Sequence, residues 1–276
     1  MGKNFHKPTV SVIGGDKRNI ILTELLTDYG YDAVYVDDNE KLISSLNRQV
    51  VILPLPITRD GVTLNCKNKI KLVDIICNFH PHTRVLCGGL NKDFTDKLDN
   101  KFFDYYNVEQ VLTDNAYLTA EATLKLIIEN TDSAVVDTKI LIIGSGKCGM
   151  ALAKLLKKID CNVNLTTRRP AYNVFAFLNN IEIKNTANLA DYISEFDVIV
   201  NTAPSMVLDS ETLSCVDKNA LIIELATQCA GVDMDCAKQF GLNAVYAPAL
   251  PGKYAPASAA KVLFKSINRI ILEEFA

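Results

Sequence analysis

The run Gly144-Ser145-Gly146-Lys147-Cys148-Gly149 has glycines at positions one, three and six. It follows the uninterrupted apolar stretch Lys139–Ile143 and opens a segment with apolar Met150, Leu152, Ala153, Leu155 and Leu156. Between a strand and a helix, each glycine of such a run has a purpose. The first makes a tight turn, the second lets a pyrophosphate approach the backbone, and the third lets helix and strand pack closely. The bound phosphates then sit at the positive end of the helix dipole. The expected chemistry is dinucleotide binding, with Gly144 to Gly149 as the cradle.

Which dinucleotide binds is written at the end of the next strand. An NAD site carries Asp or Glu there, about 20 residues past the glycines, to bond the ribose 2′-hydroxyl. Here the chain reads Thr166-Thr167-Arg168-Arg169. No carboxylate repels a phosphate, and two guanidiniums offer paired hydrogen bonds to one. The expectation is NADP, held through Thr167, Arg168 and Arg169. After a later strand, Asn201-Thr202-Ala203-Pro204 is expected beside the nicotinamide ribose, because loops at the carboxyl ends of strands line the crevice of such sheets.

The first half of the chain has glycine turns of another kind. Gly14-Gly15-Asp16-Lys17-Arg18 lacks the third glycine and puts charged side chains where a phosphate would need backbone. It is therefore read as part of a substrate site. Asp16 and Arg18, with Arg59 from the Pro54–Gly61 turn, are its candidate residues, since guanidiniums grip carboxylates. Lys253, in the proline-rich run Ala247–Pro256, is a fourth candidate, and it or Tyr254 can exchange a proton. His80-Pro81-His82 lacks further ligands at metal spacing, so no metal is expected. No Ser/His/Asp or Cys/His set assembles, so hydrolysis has no support, and no catalytic residue is singled out.

These motifs need a framework of alternating strands and helices. Strands are expected over Thr9–Gly14, Ala33–Val36, Val50–Leu53, Arg84–Cys87, Lys139–Ile143, Asn162–Thr167, Asp197–Val200, Ala220–Glu224 and Asn243–Tyr246. Helices are expected from the Gly14-Gly15 turn through Asp28, and over Lys67–Phe79, Asn115–Glu129, Lys147–Ile159 and Ala257–Phe275. The pattern predicts an α/β protein of two doubly wound parallel-sheet domains, the second a Rossmann dinucleotide-binding domain. Residues 1–114 with 257–276 are assigned to the substrate-side domain, and 115–256 to the connector helix and nucleotide domain.

Bulk properties agree. The 276 residues suffice for two cores, and 49% hydrophobic with 22% charged residues is a globular balance. A net charge of −3 gives no broad field for nucleic acid or anionic membranes. No apolar leader or spanning run is present, and eight scattered cysteines form no C-x-x-C pair, so a cytoplasmic protein with reduced thiols is expected.

The motifs together resemble the dipicolinate synthase A-subunit family of spore-forming bacteria. The resemblance rests on Val12-Ile13-Gly14-Gly15-Asp16-x-Arg18, Leu53-Pro54-Leu55-Pro56 with Asp60-Gly61, Asn115-Ala116-Tyr117-Leu118-Thr119-Ala120-Glu121, the glycine run with Met150, Asn201-Thr202-x-Pro204, and Ala247-Pro248-x-Leu250-Pro251-Gly252-Lys253-x-Ala255-Pro256. Two stretches depart from the family pattern: Val136-Asp137-Thr138 in place of His-Gly-Ser, and Ala257-Ser258-Ala259-Ala260 in place of Lys-Thr-Ala-Gly. The resemblance implies oxidation of dihydrodipicolinate, or its hydroxytetrahydro precursor, to dipicolinate with NADP as hydride acceptor. It also implies a partner, the flavoprotein-like B subunit, and a location in the mother cell of a sporulating bacterium. Two alternatives remain: an NADP-dependent dehydrogenase of another small carboxylate, and a non-catalytic nucleotide-binding member of a complex. Homo-oligomerisation is left open.

Overall fold

The computed structural model describes residues 7–89, 101–168, 173–226 and 231–276. The chain divides into two compact units, Met1–Asn115 with Ala255–Ala276, and Ala116–Tyr254.

In the first unit, β1 (Thr9–Ile13), α1 (Lys17–Asp28), β2 (Asp32–Val36), α2 (Asn39–Ser45), β3 (Val50–Ile52), α3 (Leu72–Ile76), β4 (Arg84–Cys87) and β5 (Lys101–Asp104) follow one another. The strands form one parallel sheet in the order β2-β1-β3-β4-β5, with its switch point between β1 and β3. Successive residues of each strand face opposite sides, so both faces must be apolar and covered. Val10, Val12, Val50 and Ile52 enter one cluster, while Ile13, Val51 and Leu53 enter another.

The helix expected over Lys67–Phe79 is only Leu72–Ile76. Residues ahead of it have their backbone groups engaged otherwise: Leu64 N–H donates to the Ile70 carbonyl and Leu72 N–H to that of Val62. Ile70 is thereby buried in the core, and a helix can start only beyond Lys71.

The long helix α4 (Glu109–Asn130) carries the chain from the first unit into the second. There follow β6 (Lys139–Ile143), α5 (Lys147–Lys158), β7 (Asn162–Thr166), α6 (Asn173–Leu178), β8 (Glu182–Lys184), α7 (Leu189–Tyr192), β9 (Val198–Asn201), α8 (Ser210–Ser214), β10 (Leu221–Glu224), α9 (Met234–Gln239), β11 (Asn243–Tyr246) and α10 (Leu250–Tyr254). Their sheet is parallel throughout, in the order β11-β10-β9-β6-β7-β8, which is the Rossmann doubly wound order with its switch point between β6 and β9. Ile140, Ile142, Val198 and Val200 pack into one core and Leu141, Ile143 and Ile199 into the other.

The last helix, α11 (Pro256–Phe275), belongs to the first unit. Its Leu263, Ile267, Ile270 and Ile271 join Val10, Leu22 and Leu26 in one core. The Tyr31 hydroxyl donates to Asn268 Oδ1 at 2.7 Å, pinning β2's leading edge to α11. No helix among the described residues is long and apolar enough to cross a membrane.

Candidate functional site, a dinucleotide cleft

The carboxyl ends of β6, β7, β9 and β10 lie level: Ile143 pairs with Thr166 on one side and Asn201 on the other, and Asn201 pairs with Glu224. An open cleft lies above them, lined by the Ile143–Gly146 turn, Thr166 to Arg168, Thr186, and Thr202 to Pro204. The cleft is at the switch point, where neighbouring strand connections leave to opposite faces and the backbone parts.

Each glycine of the run answers to a measurable demand. Gly144 has φ +104°, a value L side chains rarely adopt, and a Cβ there would lie 2.6 Å from Thr202 Oγ1. A Cβ on Gly149 would fall onto the Gly144 carbonyl oxygen, far inside van der Waals contact. Gly146, by contrast, has open space around its Cβ position. It is also the N-cap of α5, and no side chain hydrogen-bonds there. An uncapped helix start facing an open cleft is what an anionic pyrophosphate requires, so the residues present fit a dinucleotide. The first unit's counterpart differs: Asp16 caps α1 by accepting from Arg18 N–H.

Hydroxyl groups stitch the turns together. Ser145 Oγ lies 2.6 Å from Thr167 Oγ1, and Gly144 N–H donates to Thr166 Oγ1 at 3.3 Å. Thr202 Oγ1 donates to the carbonyls of Ile143 (3.0 Å) and Gly144 (3.2 Å). Arg168 is exposed at the end of β7, with Nη2 3.4 Å from Ser205 Oγ. Arg169 lies outside the described residues. Lys147 is exposed at the start of α5. Cys148 is half-buried, and burial pushes its thiol pKa up while a bond with Thr119 and the Lys147 charge pull it down. The net shift is upward, so this thiol stays protonated at neutral pH.

Sequence reasoning missed one participant. Glu224 ends β10 fully buried, with Asn201 Nδ2 donating to its two oxygens at 3.1 and 2.9 Å and Ala226 N–H donating at 2.6 Å. Burial raises its pKa, and these donors act against the rise. The available signal was a carboxylate closing the otherwise apolar run Ala220–Ile223.

In the first unit, Arg18 is only 6% exposed. Its Nε and Nη2 bond Asp16, at 2.8 Å for Nη2–Oδ2, and Nη2 also donates to the Leu55 carbonyl at 2.8 Å. A buried guanidinium must be paired, and here the fold itself supplies the partners. Burial lowers its pKa and Asp16 raises it, with a net upward shift. Replacing Asp16 by Ala is therefore expected to destabilise the protein by about 2 kcal/mol, less than a fully buried pair because Asp16 is partly exposed. Urea unfolding of the whole chain measures this, and an unchanged midpoint refutes it. Arg59 is exposed, in the turn before Asp60. Lys253 is exposed too but belongs to the second unit, in the last turn of α10. Part of the proline-rich run is this helix: Leu250 buries into the core below, and Pro251 sits in the first turn, where its missing N–H costs nothing. Ala249 enters it at φ +57°. Lys125 Nζ stands 4.5 Å from the ring centre of Tyr254, the other proton-exchange candidate. Among the described residues no group of three His, Cys, Asp or Glu side chains is placed to hold a metal.

Known proteins share these features. Residues 9–108 match the model of the N-terminal domain of the dipicolinate synthase A subunit. Residues 116–228 match that of the NAD binding domain of D-isomer specific 2-hydroxyacid dehydrogenases. The dipicolinate synthase A subunit of Bacillus subtilis strain 168 is 25% identical over 285 residues, covering 96% of each chain. The crystal structure of the dipicolinate synthase A chain from Bacillus subtilis superposes with a TM-score of 0.84 at 23% identity, covering 97% of both chains. That of the dipicolinate synthase A subunit from Bacillus halodurans gives 0.85 at 21%, covering 95% of this chain and 97% of that one. The two-unit α/β fold is thus common to all three. The second unit carries a dehydrogenase-type domain for a nicotinamide dinucleotide, and over nearly its whole length the chain is similar to dipicolinate synthase A subunits.

Proposed function

We propose that the protein oxidises dihydrodipicolinate, or its hydroxytetrahydro precursor, to dipicolinate with hydride transfer to NADP. One observation carries the cofactor choice: the end of β7 has no carboxylate, and presents Arg168 beside the bonded Ser145–Thr167 hydroxyl pair. A 2′-phosphate there meets donors and a cation, whereas a bare 2′-hydroxyl lacks its usual carboxylate acceptor. The first turn of α5, at Gly146 to Gly149, takes the pyrophosphate, and Thr202 to Pro204 flank the nicotinamide ribose, with Asn201 buried behind them and not itself against the ligand. Arg169 adds a second cation to the 2′-phosphate site. In the first unit Arg59, and in the second Lys253, is an exposed cation for a substrate carboxylate, while the Asp16–Arg18 pair shapes the turn after β1.

A bound nicotinamide supplies the hydride acceptor, and the protein's share is binding, orientation and exclusion of water. Oxidation of the dihydro ring moves one hydride to the cofactor and releases one proton, and the aromatic product provides driving force. The relative's name, which makes it one subunit of a synthase, supports a partner, for which the flavoprotein-like B subunit is proposed. A cytoplasmic, mother-cell location goes with that reading. A second reading, dehydrogenation of another small carboxylate, draws on the 2-hydroxyacid dehydrogenase match of residues 116–228.

The test follows reduced-nicotinamide absorbance and the aromatic product together, using fresh dihydrodipicolinate with and without the B subunit. Stoichiometric NADPH and dipicolinate are expected. NADP binding with no product in either mixture sinks the proposal, and turnover of a 2-hydroxy acid instead establishes the second reading.

A further inference from the structure

Asn201 and Glu224 stand side by side in the register of β9 and β10, and neither has any exposed surface. Glu224 gathers donors: Asn201 Nδ2 on both oxygens and the Ala226 N–H, with the backbone of Gly231 and Val232 near enough to favour its charged form. Such a ring of donors suits an acceptor-only carboxylate, and it offsets the cost of keeping one away from water.

The carboxylate has a consequence for Asn201. A carboxamide can be turned over, exchanging its oxygen and nitrogen. Facing Glu224, only the nitrogen can point inward. Asn201 Nδ2 then also reaches the Ala203 carbonyl at 3.0 Å, and Oδ1 is left to accept from Ala203 N–H at 3.1 Å. Both bonds close the Asn201–Ala203 turn on itself. A flipped amide would set nitrogen against N–H and oxygen against both the carboxylate and a carbonyl. Between these residues, Thr202 ties its N–H to the Ile143 carbonyl at 2.9 Å and its hydroxyl to Ile143 and Gly144.

Gly231 closes the arrangement from the other side. A Cβ there would fall onto Asn201 Nδ2, and would lie 2.7 Å from the Ala203 carbonyl oxygen and 2.9 Å from Glu224 Oε2. The pair is therefore sealed by a residue that must be glycine.

We infer that Glu224 is a positioning residue for the cofactor cleft: it fixes the Asn201 carboxamide in one orientation, and so sets the Thr202–Pro204 wall against the glycine turn. Glu224 is not among the residues lining the cleft, so it acts through Asn201 and touches no ligand. The consequence for dinucleotide affinity rests on the reading given under Proposed function; the consequence for the wall does not.

The test uses the full chain with Glu224→Gln, Asn201→Asp and the double variant. Glu224→Gln sets an NH2 group against the Asn201 amide, and Asn201→Asp sets carboxylate against carboxylate. In the double variant the introduced amide donates to the introduced carboxylate, which still accepts from Ala203 N–H but no longer donates to the Ala203 carbonyl, so the pair is restored with donor and acceptor exchanged while the turn keeps one of its two bonds. Two quantities are read: hydrogen exchange of the Thr202 and Ala203 amides, and the NADPH dissociation constant from nicotinamide fluorescence. Each single variant is expected to speed exchange and weaken binding by about tenfold or more, and the double variant to lose less than the two single losses combined, as coupled neighbours do in such cycles. Amides of β1 to β4 serve as the unmoved control. Unchanged Thr202 and Ala203 exchange in Glu224→Gln overturns the inference, as does a double variant whose losses equal the two single losses combined. If Glu224→Gln does not fold, Asn201→Ala removes the middle link without a mismatched pair, and slow Ala203 exchange there overturns it equally. A wild-type protein that binds no NADPH, while exchange behaves as described, refutes the cofactor reading and leaves the positioning role standing.

Discussion

Arg168→Asp, made together with Arg169→Ser, is expected to reverse the preference between dinucleotides. Arg168 is exposed and lies beside Ser205 at the end of β7, so its removal disturbs no core contact. A charge-assisted bond to a 2′-phosphate is worth about 1.5–3 kcal/mol, and the new carboxylate adds repulsion against a doubly charged group. NADPH affinity should fall by about a hundredfold or more, since each factor of ten is about 1.4 kcal/mol. NADH affinity should hold or improve, because the aspartate can accept the ribose 2′-hydroxyl bond that the native chain cannot. Fluorescence titration of both reduced dinucleotides gives the ratio. If the ratio is that of the wild type, the Ser145–Thr167–Arg168 edge does not choose the cofactor.

The second large effect is expected at Gly149. Its Cβ would collide with the Gly144 carbonyl oxygen, and both partners are backbone, so no side-chain rotation relieves the clash. To admit a methyl group, α5 must lift from the turn after β6. Leu152, Ala153 and Leu156, all buried against Ile140 and Ile142, would lift with it. Gly149→Ala should therefore cost about 3 kcal/mol or more, a fall of about 10 °C in Tm for a unit of this size, and should abolish dinucleotide binding. Gly146→Ala gives the contrast. Nothing lies within 4 Å of its Cβ position, so stability should change little while binding is lost, because the methyl group takes the space a pyrophosphate needs. Calorimetry and NADPH titration on both variants separate the two cases. A Gly149→Ala protein that melts like the wild type would show that the close approach is not needed.

The contrast also explains what could be read from the chain. The β6–glycine–α5 unit is local: strand, turn and helix are consecutive, and the close approach of Gly149 to Gly144 arises within the run itself. Strand β6 and the start of α5 fall where the apolar pattern puts them. The strands that escaped notice are edge pieces. Strands β5 and β8 end their sheets, and their sequences, Lys101–Asp104 and Glu182–Lys184, place charges at both ends of three or four residues. An edge strand needs no continuous apolar run, so it leaves a faint signature.

Two charged residues show the other limit. Arg18 has the type and position of a carboxylate grip, and the sequence does say that Asp16 is two residues away. It does not say that Arg18 is buried and committed to the Leu55 carbonyl, 37 residues further on. Glu224 escaped for the same reason. Its role depends on Asn201, 23 residues earlier, and on Gly231, which only the folded chain brings to it. Identity and spacing announce a group that meets a ligand through its own backbone. They are silent about one whose partners are chosen by packing.

The return of the chain to its first unit has a consequence for biosynthesis. Residues 116–254 are contiguous, so that unit has every part of its core once Tyr254 has left the ribosome. The amino-terminal unit, though made first, lacks Leu263, Ile267, Ile270 and Ile271 until the last helix emerges. The unit begun first is thereby the last to have its core complete, and loss of α11 is expected to injure the amino-terminal half.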